Sequence, residues 1–315
     1  MSLRTYEVDQ FENSRGRLEA IAYRLLGSAG DAEDAVQETY LRWHAADREQ
    51  LRTPEAWLTK VLTNLCLHQL TSARARRETY VGQWLPEPLL EGDRMLGPAD
   101  TAEQRESVSL AMLTLMERLS PNERVVYVLR EAFGYGHREI AEILDLTESN
   151  CQQIHRRAKQ HLGTGRTRTE VDSVSARKVV EEFLAAALSG DTEPLVRLLA
   201  EHAVGVADGG AGVPARRTPV LGALGIARYL RSLFRHSDRK QALAGGGRPT
   251  AHAAVVNGGP AVLIATGGRI LGVLCLEPTP DGVAAVRIQV NPDKLTRLTR
   301  SWAAEEPSPP LAQVW

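Results

Sequence analysis

Between Cys151 and Thr169 the chain carries five Arg or Lys residues and no acid. Glu148, Ser149, Asn150, Gln152 and Gln153 lead into this stretch, and Arg156, Arg157 and Lys159 lie within it. Amide side chains can pair bidentately with adenine, while guanidinium and ammonium groups meet phosphates, so this set has the chemistry of duplex readout. A second basic cluster, Arg74, Arg76 and Arg77, follows Asn64, whose amide suits the edge of an unpaired base. Taken singly, each cluster fits an amphipathic helix or a basic helix end in solvent equally well. The opposite chemistry stands at the start: ten acids against six bases in the first fifty residues, with four of those acids between Asp31 and Glu38. Such an asymmetry assigns different stretches to different partners.

These residues need helices to position them. Leu18, Ile21, Ala22, Leu25 and Leu26 mark a helix ending at Gly27, and Asp31 is the expected N-cap of the next, with Ala35, Val36, Tyr40, Leu41 and Trp43 on or near its inner face. Thr53-Pro54-Glu55 opens a third helix through Trp57, Leu58, Val61, Leu62 and Leu65; the spacing of Trp43 and Trp57 with leucines predicts core packing rather than base stacking. Ser120-Pro121-Asn122-Glu123 is a capping box with proline at the first helical position. A short helix with Ile140, Ala141, Ile143 and Leu144, a turn at Asp145-Leu146-Thr147 and a longer helix burying Cys151, Ile154, Ala158 and Leu162 then predict a helix-turn-helix. Its second helix presents the Glu148 to Lys159 set on the opposite face.

Residues 81–102 lose periodicity around Pro86, Pro88, Gly92, Gly97 and Pro98, yet hold Trp84, Leu85, Leu89 and Leu90, which a solvated tether does not need. This linker is expected to dock. Beyond a polar, basic hinge the pattern becomes α+β: helices at 175–188, 192–200 and 224–234, then β-type runs at 251–256, 261–266, 270–277 and 283–290, expected as an antiparallel meander. The expected domains are therefore 1–80, a linker 81–102, 103–164, a hinge 165–172, an α+β domain 173–302 and a flexible tail 303–315.

With 43% apolar and 24% charged residues the composition is that of a folded chain. No apolar run approaches the ~20 residues of a membrane span and the start lacks a secretory signal, so a cytoplasmic protein without a membrane partner is expected. Cys66, Cys151 and Cys275 form no CxxC pair, and neither metal nor cofactor is expected; the thiols read as buried and free.

Together the motifs resemble the extracytoplasmic-function sigma factors, which keep only regions two and four of larger sigma factors. The resemblance covers about the first half of the chain and rests on Asp31-Ala32-Glu33-Asp34-Ala35-Val36-Gln37-Glu38, Pro54-Glu55-Ala56-Trp57-Leu58 with Asn64-Leu65, Leu119-Ser120-Pro121-Asn122-Glu123-Arg124 and the helix-turn-helix. It implies that Asp34, Gln37 and Glu38 meet core RNA polymerase, whose large subunits offer the clamp and flap. It further implies that Asn64 and the nearby arginines engage the melted minus-ten promoter element, while the helix from Thr147 reads the minus-thirty-five duplex. Trp84-Leu85-Pro86-Glu87-Pro88 and Asn291-Pro292-Asp293-Lys294-Leu295 resemble hallmarks of the subgroup with a fused SnoaL-like domain, thought to act on the sigma activity in cis. A third hallmark, Asp-Gly-Gly-Gly, departs here as Asp208-Gly209-Gly210-Ala211, which puts the loop conformation in question. At the linker contact Asn291 and Asp293 would hydrogen-bond backbone and Lys294 would pair with an acid; a plain helix cap at Asn291 before Pro292 fits the string equally well. SnoaL-like folds enclose a pocket, so ligand sensing is open. Catalysis is not expected, because Asp208 lacks a clear histidine partner and His202 and His252 read equally well as surface residues. The competing class, a sensor or enzyme fused to a polymerase-independent DNA-binding regulator, has no use for the acidic block at Asp31 to Glu38.

Overall fold

The computed structural model describes residues 3–47, 51, 53–78, 80–163, 173–304 and 309–314, without side chains for 3–8, 73–78, 173 and 239. The expected hinge at 165–172 lies outside these, as do the side chains of Arg74, Arg76 and Arg77. The chain forms two compact units, one of residues 1–79 and 92–165, the other of residues 80–91 and 166–315.

The first unit is helical. It comprises α1 (Leu3–Leu26), α2 (Ala29–Ala45), α3 (Pro54–Glu78), α4 (Ala102–Ser107), α5 (Leu110–Met116), α6 (Pro121–Tyr127), α7 (His137–Leu144) and α8 (Glu148–Leu162). Ser28 caps α2, accepting from Asp31 N at 3.2 Å, so Asp31 sits in the positive first turn instead of at the cap. The α2 stripe Ala32, Ala35, Val36, Thr39 and Trp43 is buried. Leu41 was expected near that stripe but is 55% exposed, because two residues before Trp43 lies about 200° away around a helix. Trp43 and Trp57 pack with centroids 5.8 Å apart, as their spacing predicts.

Both halves of the capping box at Ser120 and Glu123 form, and α6 continues through a π turn at Val128–Ala132. Two buried guanidiniums tie α1 to the second helical module. Arg124 donates to the Arg24 carbonyl at 3.1 Å and to Glu117, and Arg24 donates to Ser107 Oγ at 2.8 Å while lying over the Phe133 ring. A second contact joins α3 to the helix-turn-helix, where Lys60 Nζ reaches Asp145 Oδ1 at 2.6 Å and Thr59 meets the Tyr135 hydroxyl at 3.1 Å.

The second unit is α+β, as expected. Its elements are α9 (Ser173–Leu188), α10 (Glu193–Leu198), β1 (Leu199–Asp208), β2 (Val220–Leu221), α11 (Ala223–Phe234), α12 (Asp238–Leu243), β3 (Thr250–Val256), β4 (Gly259–Thr266), β5 (Arg269–Thr279), β6 (Gly282–Gln289), α13 (Thr296–Ala304) and β7 (Ala312–Gln313). The strand order is β2-β1-β6-β5-β4-β3-β7. The expected meander is β3 to β6; β1 adds to it in parallel with β6, begins inside the last two residues of the helix expected at 192–200, and otherwise occupies a stretch for which no strand was expected. The sequence of β1, LAEHAVGVAD, has only Val204 and Val206 as β-branched residues, and its strand state comes mainly from pairing within the sheet. The core joins Phe183 and Leu184 of α9 and Ile226 and Leu230 of α11 to Val262, Leu274, Val286 and Ile288 of the sheet.

Among its described residues, the tail expected to be flexible contributes a short strand, β7. Ala312 and Gln313 pair with Ala251 and Thr250, and Val314 is 1% exposed, so apolar burial after the proline stretch anchors its end. His252 is also buried rather than at the surface, bonded to Thr250 Oγ1 at 2.8 Å and edge-on to Trp302. Among the described residues, no helix is long and apolar enough to cross a membrane.

Candidate nucleic-acid, polymerase and linker sites

Three separate sets of side chains are candidates, two in the first unit and one in the second. On α2, Asp34 and Gln37 are exposed and Glu38, half-buried, pairs with Arg42 at 2.9 Å. The exposed Leu41 lies seven residues beyond Asp34, on the same helical face. Placed near the inner face by the sequence reading, Leu41 was not counted among the candidates on this outer one. The signal was its position opposite the Ala35, Thr39 and Trp43 stripe.

On α8 the inner stripe is Cys151, Ile154, Ala158 and Leu162, all buried, and all eight residues proposed to face DNA are exposed. Thr147 caps the helix, accepting from Asn150 N at 3.3 Å, and Asp145 takes the left-handed conformation (φ 55°) that ends α7 and sets the turn. Lys159 is partly occupied by Glu131, 3.3 Å away, to which His155 also binds at 2.9 Å. Glu131 is held below the usual carboxylate range, chiefly by the His155 hydrogen bond and then by Lys159. Asn64 is half-buried on α3, on the way to the basic end of that helix.

The third set lies wholly within the second unit and centres on Asp208, which is 0% exposed at the end of β1. Its Oδ1 accepts from Tyr80 Oη at 2.7 Å and Gly210 N at 3.0 Å; its Oδ2 accepts from Leu85 N at 3.0 Å, Gln289 Nε2 at 3.2 Å and Lys294 Nζ at 2.7 Å. Burial alone would raise this carboxyl, but Lys294 and the hydrogen-bond donors outweigh it and hold it below the ordinary range. Lys294 Nζ also donates to the Leu85 carbonyl at 2.6 Å and lies 4.3 Å from the Trp84 ring centroid, a cation over an aromatic face. Asn291 Nδ2 donates to Tyr80 Oη at 2.9 Å, and its Oδ1 caps the Pro292–Leu295 3₁₀ turn by accepting from Asp293 N. The two alternatives for this string, linker contact and helix cap, hold together. Asp293 contributes its backbone N–H there, and Pro292 and Leu295 form the other face of the turn.

Farther along, the linker pairs with the β3 end. Leu89 N donates to Asn257 Oδ1 at 2.9 Å, Asn257 N returns a bond to the Leu89 carbonyl, and Leu90 bridges Val256. Leu85 and Pro86 are buried and Trp84 is half-buried. Trp84, Leu85, Pro86, Asp208, Gly209, Gly210 and the Asn291 to Leu295 string thus come together. Tyr80, Gln289 and Asn257 were missed; only Asn257 left a trace, as an Asn-Gly turn between two β runs.

The departure at Ala211 is harmless. Gly210 carries the positive φ, +57°, and a Cβ there would come within 2.6 Å of Asn291 Nδ2, while a Cβ on Gly209 would come within 1.9 Å of the Val213 carbonyl. Ala211 keeps an ordinary negative φ.

Comparison with known proteins agrees with this architecture. Residues 11–76 match the family Sigma-70 region 2, and residues 109–162 match Sigma-70, region 4. The chain is 36% identical to the ECF RNA polymerase sigma factor SigJ of Mycobacterium tuberculosis H37Rv, over 72% of this chain and 73% of that protein. This chain belongs to the extracytoplasmic-function (ECF) RNA polymerase sigma factors. It is also 30% identical to a probable ECF RNA polymerase sigma factor, SigI, of M. tuberculosis CDC 1551, over 90% of this chain and 93% of that protein. The crystal structure of M. tuberculosis extracytoplasmic function sigma factor SigJ superposes with a TM-score of 0.69 at 29% identity, over 92% of this sigma factor and 98% of that chain. The likeness therefore extends beyond the two sigma regions into the α+β domain.

Proposed function

We propose that this sigma factor docks on core RNA polymerase through the outer face of α2, with Asp34, Gln37 and Glu38 as the polar contacts. Asn64 and the basic end of α3, with Arg74, Arg76 and Arg77, engage the melted minus-ten element. The exposed face of α8 reads the minus-thirty-five duplex: Glu148, Ser149, Asn150, Gln152 and Gln153 at its N-terminal end meet base edges, and Arg156, Arg157 and Lys159 meet phosphates. The α+β domain modulates this activity in cis, without catalysis, in the cytoplasm where polymerase works.

The observation that carries the cis reading is the linker between the two sigma regions, which is folded into the C-terminal domain through Asp208 and Lys294. A domain holding that linker changes how freely the two promoter-reading modules can be arranged. A catalytic role for Asp208 is disfavoured by its occupancy: a carboxylate already accepting from five donors is a poor proton acceptor for a substrate. The polymerase-independent regulator is disfavoured by the acidic face of α2, since repulsion from DNA leaves it no purpose.

Transcription in vitro with core polymerase tests the reading. Lys294→Ala is expected to change promoter output with α8 and α2 untouched. Output equal to that of the intact protein would reject modulation in cis.

A further inference from the structure

A cavity of ≈ 650 Å³ lies in the second unit, between α11, α12, the β5–β6 part of the sheet and α13. Its walls are apolar, with Leu233, Phe234, Ile264, Leu271, Leu274 and Leu295 among them, and no acid is present among the described lining residues. Three cations line it: Lys240, Arg269 and Arg300. Lys240 is already committed, its ammonium donating to the carbonyls of Ser232, Leu233 and Arg235 at 2.5, 2.9 and 2.7 Å, which closes the end of α11. Arg269 donates to the Leu243 carbonyl through one nitrogen, and a guanidinium has five N–H donors. Both Arg269 and Arg300 are exposed, and the Ile270 N to Thr299 Oγ1 bond at 3.2 Å brings their two segments together at one rim. An apolar interior with two guanidiniums at one edge suits a ligand with a hydrocarbon body and a single anionic head.

The same wall is part of the linker clamp. In a 3₁₀ turn, residues three apart eclipse one another, so Pro292–Leu295 has distinct faces. Asn291 and Lys294 hold Tyr80, Trp84 and Leu85, whereas Pro292 and Leu295 line the cavity. An empty cavity leaves Leu295 without packing partners on that side; an occupied one braces the turn from behind.

We propose that this cavity binds an amphipathic organic carboxylate, its body against Leu295 and its head at Arg269 and Arg300, and that occupancy tightens the Asn291–Lys294 grip on the linker. This rests on the cis reading above. A ligand that binds only the braced form lowers the population of every opening that releases the clamp, so linker amides exchange more slowly in its presence.

The test uses the full chain with dodecanoate below its micellar concentration, read by titration calorimetry and by hydrogen exchange at the Leu85 amide. Dodecanoate is expected to bind and to slow that exchange. Dodecanol, with the same body and no charge, and the Arg269→Ala/Arg300→Ala variant, which alters only exposed side chains, are each expected to lose roughly tenfold in affinity. Absence of dodecanoate binding, equal affinity for dodecanol, or binding that leaves Leu85 exchange unaltered would each overturn the proposal. Lys294→Ala without ligand separates the two claims. If it accelerates Leu85 exchange and alters transcription while dodecanoate fails to bind, the pocket inference alone falls; if it does neither, the clamp itself falls.

Discussion

Asp208 shows how much one buried carboxylate can organise. It neutralises Lys294 and satisfies donors from three stretches of chain, so removing its charge leaves an ammonium uncompensated in a protein interior. Asp208→Asn is expected to destabilise the clamp by about 3–5 kcal/mol, seen as exchange at the Leu85 amide faster by roughly a hundredfold or more. The sign of its pH dependence follows from the depressed carboxyl. A carboxylate more acidic in the folded state contributes stability that is fully present above the unfolded value, about 4, and is lost as pH falls through the lower folded value. Stability of the second unit, followed as its urea midpoint, should therefore fall below about pH 4 in the native sequence and respond less to acid in Asp208→Asn. Tyr80 stays a neutral donor throughout, because burial and then Asp208 push its phenol up. The cysteines make the opposite point, that some reactive side chains only pack. All three are buried thiols outside any disulfide, and burial raises the Cys66 and Cys151 thiols. Iodoacetamide is expected to alkylate them only at the rate of unfolding, and rapid labelling of the native protein would refute that.

Elements whose signals are local were legible in the sequence, and elements made by distant partners were not. The capping box at Ser120, the α8 stripe and the β3 to β6 runs each declare themselves within one window of residues. By contrast β1 is a strand because β6 and β2 flank it, and β7 because Leu311 and Val314 find the core. The candidate site divides likewise. Of the motif residues read as candidates, Trp84, Leu85, Asp208 and the Asn291 to Leu295 string come together, whereas Tyr80 and Gln289 carry no pattern and join that set only through Asp208. For α8 the prediction is one of kind. Arg157→Ala should weaken DNA binding about equally on all sequences and reduce the salt slope by about one counterion, whereas Gln153→Ala should alter preference at one base pair. Equal effects on specific and random duplexes from both variants would remove α8 from base readout.

For the whole molecule, charge is partitioned between elements. Carboxylates gather on α2 around an exposed leucine, and cations gather on α8. Reversing Asp34 and Glu38 to lysine is expected to abolish association with core polymerase while leaving circular dichroism and thermal unfolding nearly unchanged, since both side chains reach solvent. Undiminished association would reassign that face. Within the first unit, contact between α3 and the helix-turn-helix runs partly through Lys60 and Asp145, both solvent-accessible, and such pairs contribute at most about 1 kcal/mol. Separation of the two modules is opposed more by the buried Arg24 and Arg124.

The twelve residues Tyr80–Glu91 belong to the C-terminal unit although they connect the two helical modules in sequence. A free peptide of that length is an entropic spring whose ends wander over roughly 20 Å. Pinned against β3 and Asp208, it supplies none of that slack. If the C-terminal unit acts on the sigma regions in cis as proposed, the reach of this protein along a promoter becomes a thermodynamic property of the fold that holds the linker.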